Sequence, residues 1–458
     1  MTRVLVITGA SVGPRMSGPA IRASAMARVL AADGHDVTLL TTGSLAEGWS
    51  PAGYAVASIG PTDRRAFARF HAAAEVVVFQ GHATEQFPAL ARSRTVLVAD
   101  AYDPMHLEML EQGRSAHRAT WDLLVDDRVR LLNQQLAHAD LVLAASPRQR
   151  QLYLGQLAAL GRVSPRTYRD DPHLERLIAL APFGLDAEPP AASDTPRLRG
   201  AHPAVPDDAR ILVWGGGVYD WFDPLTLIRA VHGLSQRRPQ VRLVFLGTVT
   251  PGLEPRGIVR DAIELARELG ALDRSVVFNE GWIPFDERGA YYAEADAAVS
   301  THHDHLETEF SFRTRILDYL WAGLPMVVTE GDHFADLVRE RELGVVVPAG
   351  DAAALEEALE RILFDEQFAS RAAARVAAVR EEFVWERTLE PLRALAREPR
   401  LAADAAASGR AALGRRARSL VRPPVPLGLR RRIRDGLFYA RRGALSEVSR
   451  RWKSRRRP

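Results

Sequence analysis

Short apolar runs alternate with longer helical stretches along most of this 458-residue chain, and the alternation comes in two sets. The first set reads as strands at Val4–Thr8, Val37–Thr41, Glu75–Phe79, Thr95–Ala99 and Leu141–Ala145, with helices at Ala20–Asp33 and roughly Ala116–His138. The second reads as strands at Ile211–Trp214, Val241–Leu246, Val276–Phe278, Ala297–Thr301, Met326–Thr329 and Val345–Val347. Helical patterns there cover Pro224–Arg237, Arg256–Leu269, Thr314–Ala322, Ala352–Leu363 and Gln367–Ala396. Short apolar runs between helices are the mark of parallel βαβ units. The expected fold class is therefore α/β, with two doubly wound Rossmann-like domains. Residues 186–206, rich in Pro, Ala and Asp without a period, read as the linker between them. Ligands in such sheets bind beyond the carboxyl ends of the strands, so the cleft between the two domains is the expected site.

One stretch carries most of the chemistry. In residues 307–329, Glu307 and Glu309 precede a polar turn, Arg313 and Arg315 follow, and Asp318 sits in the next helix. An Ala-Gly-Leu-Pro corner then enters an apolar strand. Carboxylates accept hydrogen bonds from sugar diols, whereas guanidinium forks and helix-start N–H groups hold phosphate oxygens. The combination suits a ligand that has both hydroxyls and phosphates.

The run Asp318-Tyr-Leu-Trp-Ala-Gly-Leu-Pro-Met-Val resembles the sugar-nucleotide site of family-4 retaining GT-B glycosyltransferases. That family has a Glu, seven residues, a second Glu, then a small residue before Gly-Leu-Pro-Val-Val. Asp318 falls at the second acid. Phe310 stands at the position of the first, with Glu309 one place away. The resemblance implies two facing domains: residues 1–185 for the acceptor and 207–380 for the nucleotide sugar. It further implies a helix at 381–400 crossing back to the first domain, opened here by Phe383-Val384-Trp385-Glu386. It assigns the ribose to Asp318 and the donor sugar to Glu309. Relatives commonly have an Arg and a Lys after the glycine turn of the second domain. Here Gly215-Gly216-Gly217 is followed by neither as far as Pro224, so Arg313 and Arg315 are expected to hold the diphosphate instead. The implied activity is transfer of a sugar from a nucleotide diphosphate to an acceptor, with retained configuration. Alternatives are a GT-B sugar-nucleotide epimerase and a non-catalytic homologue that binds glycan or membrane.

Other motifs fit this frame. The loop ending at Gly18 lies between a strand and a helix, where backbone approaches a ligand closely. Gly216 and Gly217 do the same in the second domain, and Asp223-Pro224 is also a plain helix start. Asp100 and Asp103 follow a strand and are the candidate catalytic acids of the first domain; Tyr102 stands where relatives have a histidine, and His82 is an alternative imidazole. His302-His303-Asp304-His305 has no zinc spacing, and no metal is expected. The nucleotide-diphosphate sugar is a co-substrate, and no cofactor is expected.

Charge divides the chain. Residues 401–458 carry seventeen basic side chains against three acidic ones, a net +14, so the first 400 carry −11 of the overall +3. From Leu429, apolar residues recur every three or four positions to Trp452 among arginines, including Arg430, Arg431 and Arg434. A basic amphipathic helix of this kind is expected to contact an anionic membrane surface through those side chains. Expected partners are thus a nucleotide-sugar donor, a glycan or lipid-linked acceptor and a membrane surface; nucleic acid is not among them. Cysteine is absent, which excludes disulfides and thiolate-bound metals. With no long apolar run and a strand-like start, the expected location is cytoplasmic, peripheral on the inner face of the plasma membrane.

Overall fold

The structure is a computed structural model that describes residues 1–114, 117–191, 193, 195–248, 257–279, 283–284, 287–408 and 413. It shows the expected α/β class as two parallel, helix-covered sheets. The first has seven strands: β1 (Arg3–Thr8), β2 (Asp36–Thr41), β3 (Ala55–Ser58), β4 (Val76–Phe79), β5 (Val96–Asp100), β6 (Leu141–Ala144) and β7 (Ile178–Leu180), in the order β3-β2-β1-β4-β5-β6-β7. The second has six: β8 (Arg210–Gly217), β9 (Val241–Gly247), β10 (Val276–Phe278), β11 (Ala297–Ser300), β12 (Met326–Thr329) and β13 (Gly344–Val347), in the order β10-β9-β8-β11-β12-β13. Strands β4, β6, β11 and β12 are buried along their whole length. A strand covered on both faces has no polar side to show, which is why these runs are apolar up to the terminal Ser300 and Thr329 rather than alternating.

Two strands escaped the sequence pattern. β3 is a half-exposed edge strand of small residues, Ala-Val-Ala-Ser, and β7 has only three residues. The helical pattern read as Gln367–Ala396 is broken into Glu366–Arg380, Trp385–Thr388 and Glu390–Arg397. The break has a tertiary cause. Phe383 and Val384 are buried, and Leu185 exchanges hydrogen bonds with this segment: Leu185 N–H donates to Phe383 O at 2.9 Å, and Trp385 N–H donates to Leu185 O at 3.2 Å.

Here the chain passes twice between the domains. A Cβ on Gly184 would lie 2.5 Å from the Trp385 ring, so only glycine lets the crossings touch. Beyond Trp385 the chain returns to the first domain. Arg393 pairs with Asp33 at 2.7 Å, Thr2 Oγ1 donates to Ala396 O at 2.7 Å, and the fully buried Arg162 pairs with Asp404 at 2.6 Å.

Strand order reverses between β1 and β4 in one sheet and between β8 and β11 in the other. Loops leaving adjacent strands in opposite directions open a crevice there. The segment ending at Gly18 and the segment starting at Gly215 issue from these two points. The tail residues Arg430, Arg431, Arg434 and Trp452 lie outside the described residues.

Candidate active site between the domains

A cavity of about 460 Å³ opens where the two crevices face each other. The first domain contributes Arg15, Gly18 and Ile21, and the crossing segments contribute Phe183, Leu185 and Trp385. The second contributes Gly216, Gly217, Tyr219, Arg288, Tyr292 and Asp318. Of the sequence-derived candidates, Gly18, Gly216, Gly217 and Asp318 line this cavity. Arg313 and Arg315 are buried and do not line it; Arg315 lies behind the wall, bonded to Gly217.

The glycine turn is held from below by the Thr314–Trp321 helix. Gly215 N–H donates to Tyr319 Oη at 3.0 Å, and Tyr319 Oη donates to Val299 O at 2.8 Å. One turn earlier on the same helix, Arg315 donates to Gly217 O at 2.7 Å. Gly216 has φ +69°, a left-handed conformation that favours glycine. A Cβ on Gly215 would collide with the Tyr292 hydroxyl and crowd the Tyr319 ring. The repeated glycine is therefore a close-approach device: it brings backbone against aromatic rings on one side and leaves it bare toward the cavity on the other.

Arg315 is the unusual group. Its guanidinium lies 4.0 Å from the Phe222 ring centre and 4.4 Å from that of Trp214. Burial pulls its pKa from 12.5 down to about 10, and no carboxylate is among the leading causes of the shift. Its Nη1 is buried without a hydrogen-bond partner among the described residues. Arg313 differs. It makes a two-point contact with Glu307 (2.8 and 3.2 Å), and its Nε lies 3.8 Å from Asp332. Burial pushes Asp332 upward, but His302 and Arg313 outweigh it and hold the carboxyl below its ordinary range. One guanidinium is thus neutralised within the protein, and the other is a fixed cation with no ion-pair partner among the described residues.

Asp318 receives Arg288 Nε at 3.1 Å and Tyr292 Oη at 3.2 Å, and Arg288 lies 4.6 Å from the Trp321 ring centre. Neither Arg288 nor Tyr292 stood out in the sequence, because an isolated Arg or Tyr in a helix has no motif.

Three expected placements differ, the first being Arg313, which was to hold the diphosphate but is committed to Glu307 and Asp332 and does not line the cavity. Asp100 was expected to face the cleft beyond a strand. It is the last residue of β5 and sits under the fully buried Arg22, which holds both its oxygens at 2.9 Å, while Gln80 donates to it at 2.8 Å. Arg22 also donates to the carbonyls of Ala181 and Pro182. Asp100 therefore ties the first helix to the crossing segment and presents no free carboxylate. Glu309 is exposed and is not among the cavity-lining residues, whereas Glu307 turns inward to Arg313. Helical phase explains it: the Leu306–Phe310 helix buries 307 and 308 and turns 309 outward.

Asp103 is half-buried. Burial and then the neighbouring Glu108, with which it shares a hydrogen bond, push its carboxyl well up; Glu307 from the other domain adds to this. His82 is engaged by Arg128 at 2.8 Å and lies 3.5 Å from Glu85. Among the described residues no cluster of three or more His, Asp or Glu is placed to hold a metal ion, and no helix is long and apolar enough to cross a membrane.

Fold and cavity together have the two-domain GT-B architecture. Within it, residues 209–365 match the family Glycosyl transferases group 1. A D-inositol 3-phosphate glycosyltransferase of Thermobispora bispora is 29% identical over 193 residues, covering 41% of this chain and 43% of that protein. Its counterpart in Saccharomonospora viridis is 26% identical over 276 residues, covering 58% and 62%. The chain therefore matches about half the length of these curated relatives. Among solved structures, sucrose-phosphate synthase of Thermosynechococcus elongatus superimposes with TM-score 0.61 at 18% identity, over 87% of this chain and 99% of that one. WaaG, a glycosyltransferase involved in lipopolysaccharide biosynthesis, gives 0.56 at 17%, over 89% and 100%. HepE of Anabaena, in complex with UDP and glucose, gives 0.58 at 13%, over 87% and 99%.

Proposed function

We propose that this protein is a retaining glycosyltransferase. It moves a sugar from a nucleotide-diphosphate donor, bound between the domains, to a glycan or lipid-linked acceptor in cell-envelope glycan or polysaccharide synthesis. The observation that carries this reading is Arg315: a buried cation with no paired carboxylate and one unpartnered nitrogen among the described residues, fixed to the glycine turn that lines the cavity. A preorganised cation in a poorly solvated wall stabilises negative charge as it develops, which is what a departing diphosphate requires.

In this reading the bare backbone of Gly216 and Gly217 admits the diphosphate, and the Gly18 segment covers it from the first domain. Asp318 receives the ribose hydroxyls, with Arg288 and Tyr292 setting its orientation. The Leu306–Phe310 helix meets the donor sugar. Glu309 keeps an exposed carboxylate for its hydroxyls, while Glu307 is committed to Arg313. Asp103, with Glu108, faces the acceptor. The bond from the anomeric carbon to the diphosphate oxygen breaks, and the acceptor oxygen bonds to that carbon on the same face. The acceptor's proton passes to the departing phosphate oxygen. Closure of the domains keeps water from the donor. No cofactor or metal enters the scheme.

Support comes from the names of the relatives and from the neighbours solved with UDP and glucose or with UDP-2-fluoro glucose. The +14 tail supports a peripheral position on the inner face of the plasma membrane, through Arg430, Arg431, Arg434 and Trp452. A panel of nucleoside diphosphates tests the reading by thermal shift. The correct one at about 100 times its Kd adds about 2.7 kcal/mol of stability. If none raises the melting temperature, the donor site does not exist as described. NMR of the product's anomeric proton then decides retention.

A further inference from the structure

The donor-facing segment of the second domain is not held by that domain alone. Gln149, in the first turn of the Pro147–Ala159 helix of the first domain, is fully buried. Its Nε2 donates across the cleft to Phe310 O at 2.9 Å, while its Oε1 accepts from Ala145 N–H at 2.9 Å. Its own N–H is capped by Ser146 Oγ at 3.2 Å. Both ends of the amide are fixed, so it works as a strut.

The adjacent Arg148 spans the same gap. It donates to Glu309 O at 3.4 Å and Gly331 O at 2.5 Å, and pairs with Asp336 at 2.5 Å. These acceptors flank the Glu307–Arg313–Asp332 cluster in sequence. Glu309 and Phe310 lie between Glu307 and Arg313, and Gly331 immediately precedes Asp332. The first domain thus grips both chain segments that carry the cluster.

We propose that Gln149 and Arg148 are positioning residues that complete the donor site across the domain boundary. With the cleft closed, they fix the backbone on either side of the cluster, and the 307–313 segment takes its working geometry. With the cleft open, Phe310 O and Gly331 O lose these donors to water and the segment is held only by its own short helix. Assembly of the donor-sugar wall is then coupled to closure, and a donor in an open, wet cleft does not meet a competent site. The inference rests on the nucleotide-sugar reading for its catalytic consequence, but its structural half stands without it.

Gln149→Leu and Arg148→Ala in the full chain test it, with two independent readouts. Small-angle scattering without ligand reads closure: both variants have a larger radius of gyration than the parent, and Arg148→Lys, which keeps a donor for these carbonyls, recovers part of the difference. Kinetics read positioning. The nucleoside diphosphate Kd stays within about threefold, because Arg315 and the glycine turn belong to the second domain. The transfer kcat falls about tenfold per variant, the size of one lost buried hydrogen bond, and Arg148→Lys recovers part of it. Unchanged kcat overturns the proposal, and so does loss of kcat and nucleotide affinity together with the melting temperature, which marks a merely structural role. Should the parent bind no nucleotide, the donor reading fails by itself. The scattering result still decides the strut, and variants as compact as the parent overturn it.

Discussion

Arg315→Met separates what the buried guanidinium does for the fold from what it does for a ligand. On the folding side the terms nearly cancel. Burial lowers the Arg315 pKa from 12.5 to about 10, which corresponds to about 3 kcal/mol against the charged form. Methionine removes that cost and keeps a flexible chain against Trp214 and Phe222. Against this stands the hydrogen bond to Gly217 O, worth about 1 kcal/mol. Two cation–π contacts over Phe222 and Trp214 are lost as well, at about 1 kcal/mol each. The variant is expected to melt within a few degrees of the parent. On the ligand side nothing compensates. The charge acts across the glycine turn: at about 6 Å and an effective dielectric constant of about 20 it is worth about 2–3 kcal/mol to a bound phosphate, so the nucleoside diphosphate Kd rises roughly 30- to 150-fold. Calorimetric titration beside a ligand-free thermal melt reads both quantities on one preparation. An unchanged Kd in a normally melting variant refutes the assignment of Arg315 to the diphosphate. A variant that no longer folds refutes the energy balance and makes Arg315 a structural residue.

Other substitutions probe the remaining walls. Gly215→Ala places a methyl into the Tyr292 hydroxyl and against Tyr319. A loss of about 1–3 kcal/mol in denaturant unfolding is expected, with nucleotide affinity falling alongside. Asp318→Asn removes the anion that orients Arg288; donor KM should rise about tenfold or more with kcat nearly unchanged, as for a lost charged hydrogen bond. Asp103 gives a pH signature. Burial, then Glu108, raises its carboxyl above the ordinary 3.8 in the folded protein. A group raised on folding favours the fold below its unfolded pKa and loses that contribution as pH climbs through its folded value. Asp103→Asn escapes the loss, so its melting temperature relative to the parent climbs as pH rises above about 4; a flat difference argues that the carboxyl is not raised.

The sequence by itself determined the architecture. A parallel strand buried on both faces must be apolar throughout, so β1, β4, β6, β11 and β12 announce themselves without neighbours, and Asp318 is placed by an ungapped run into the Ala-Gly-Leu-Pro corner. The glycines of the cavity were legible for the same local reason, since a turn between strand and helix needs them whatever surrounds it. Tertiary structure decided which charges are free. Arg313 and Arg315 are two positions apart in one segment, yet one is neutralised by Glu307 and Asp332 and the other meets aromatic rings, the Tyr319 hydroxyl and a carbonyl, with no ion-pair partner among the described residues. Asp100 ends β5 and Asp103 follows it three residues later, yet only Asp100 is consumed by Arg22. Whether an ionised side chain is committed or available depends on partners brought from distant parts of the chain and on how much water remains around it. Gln149 and Arg148 show the limit most plainly, because their partners lie in the other domain and no spacing within either domain encodes them.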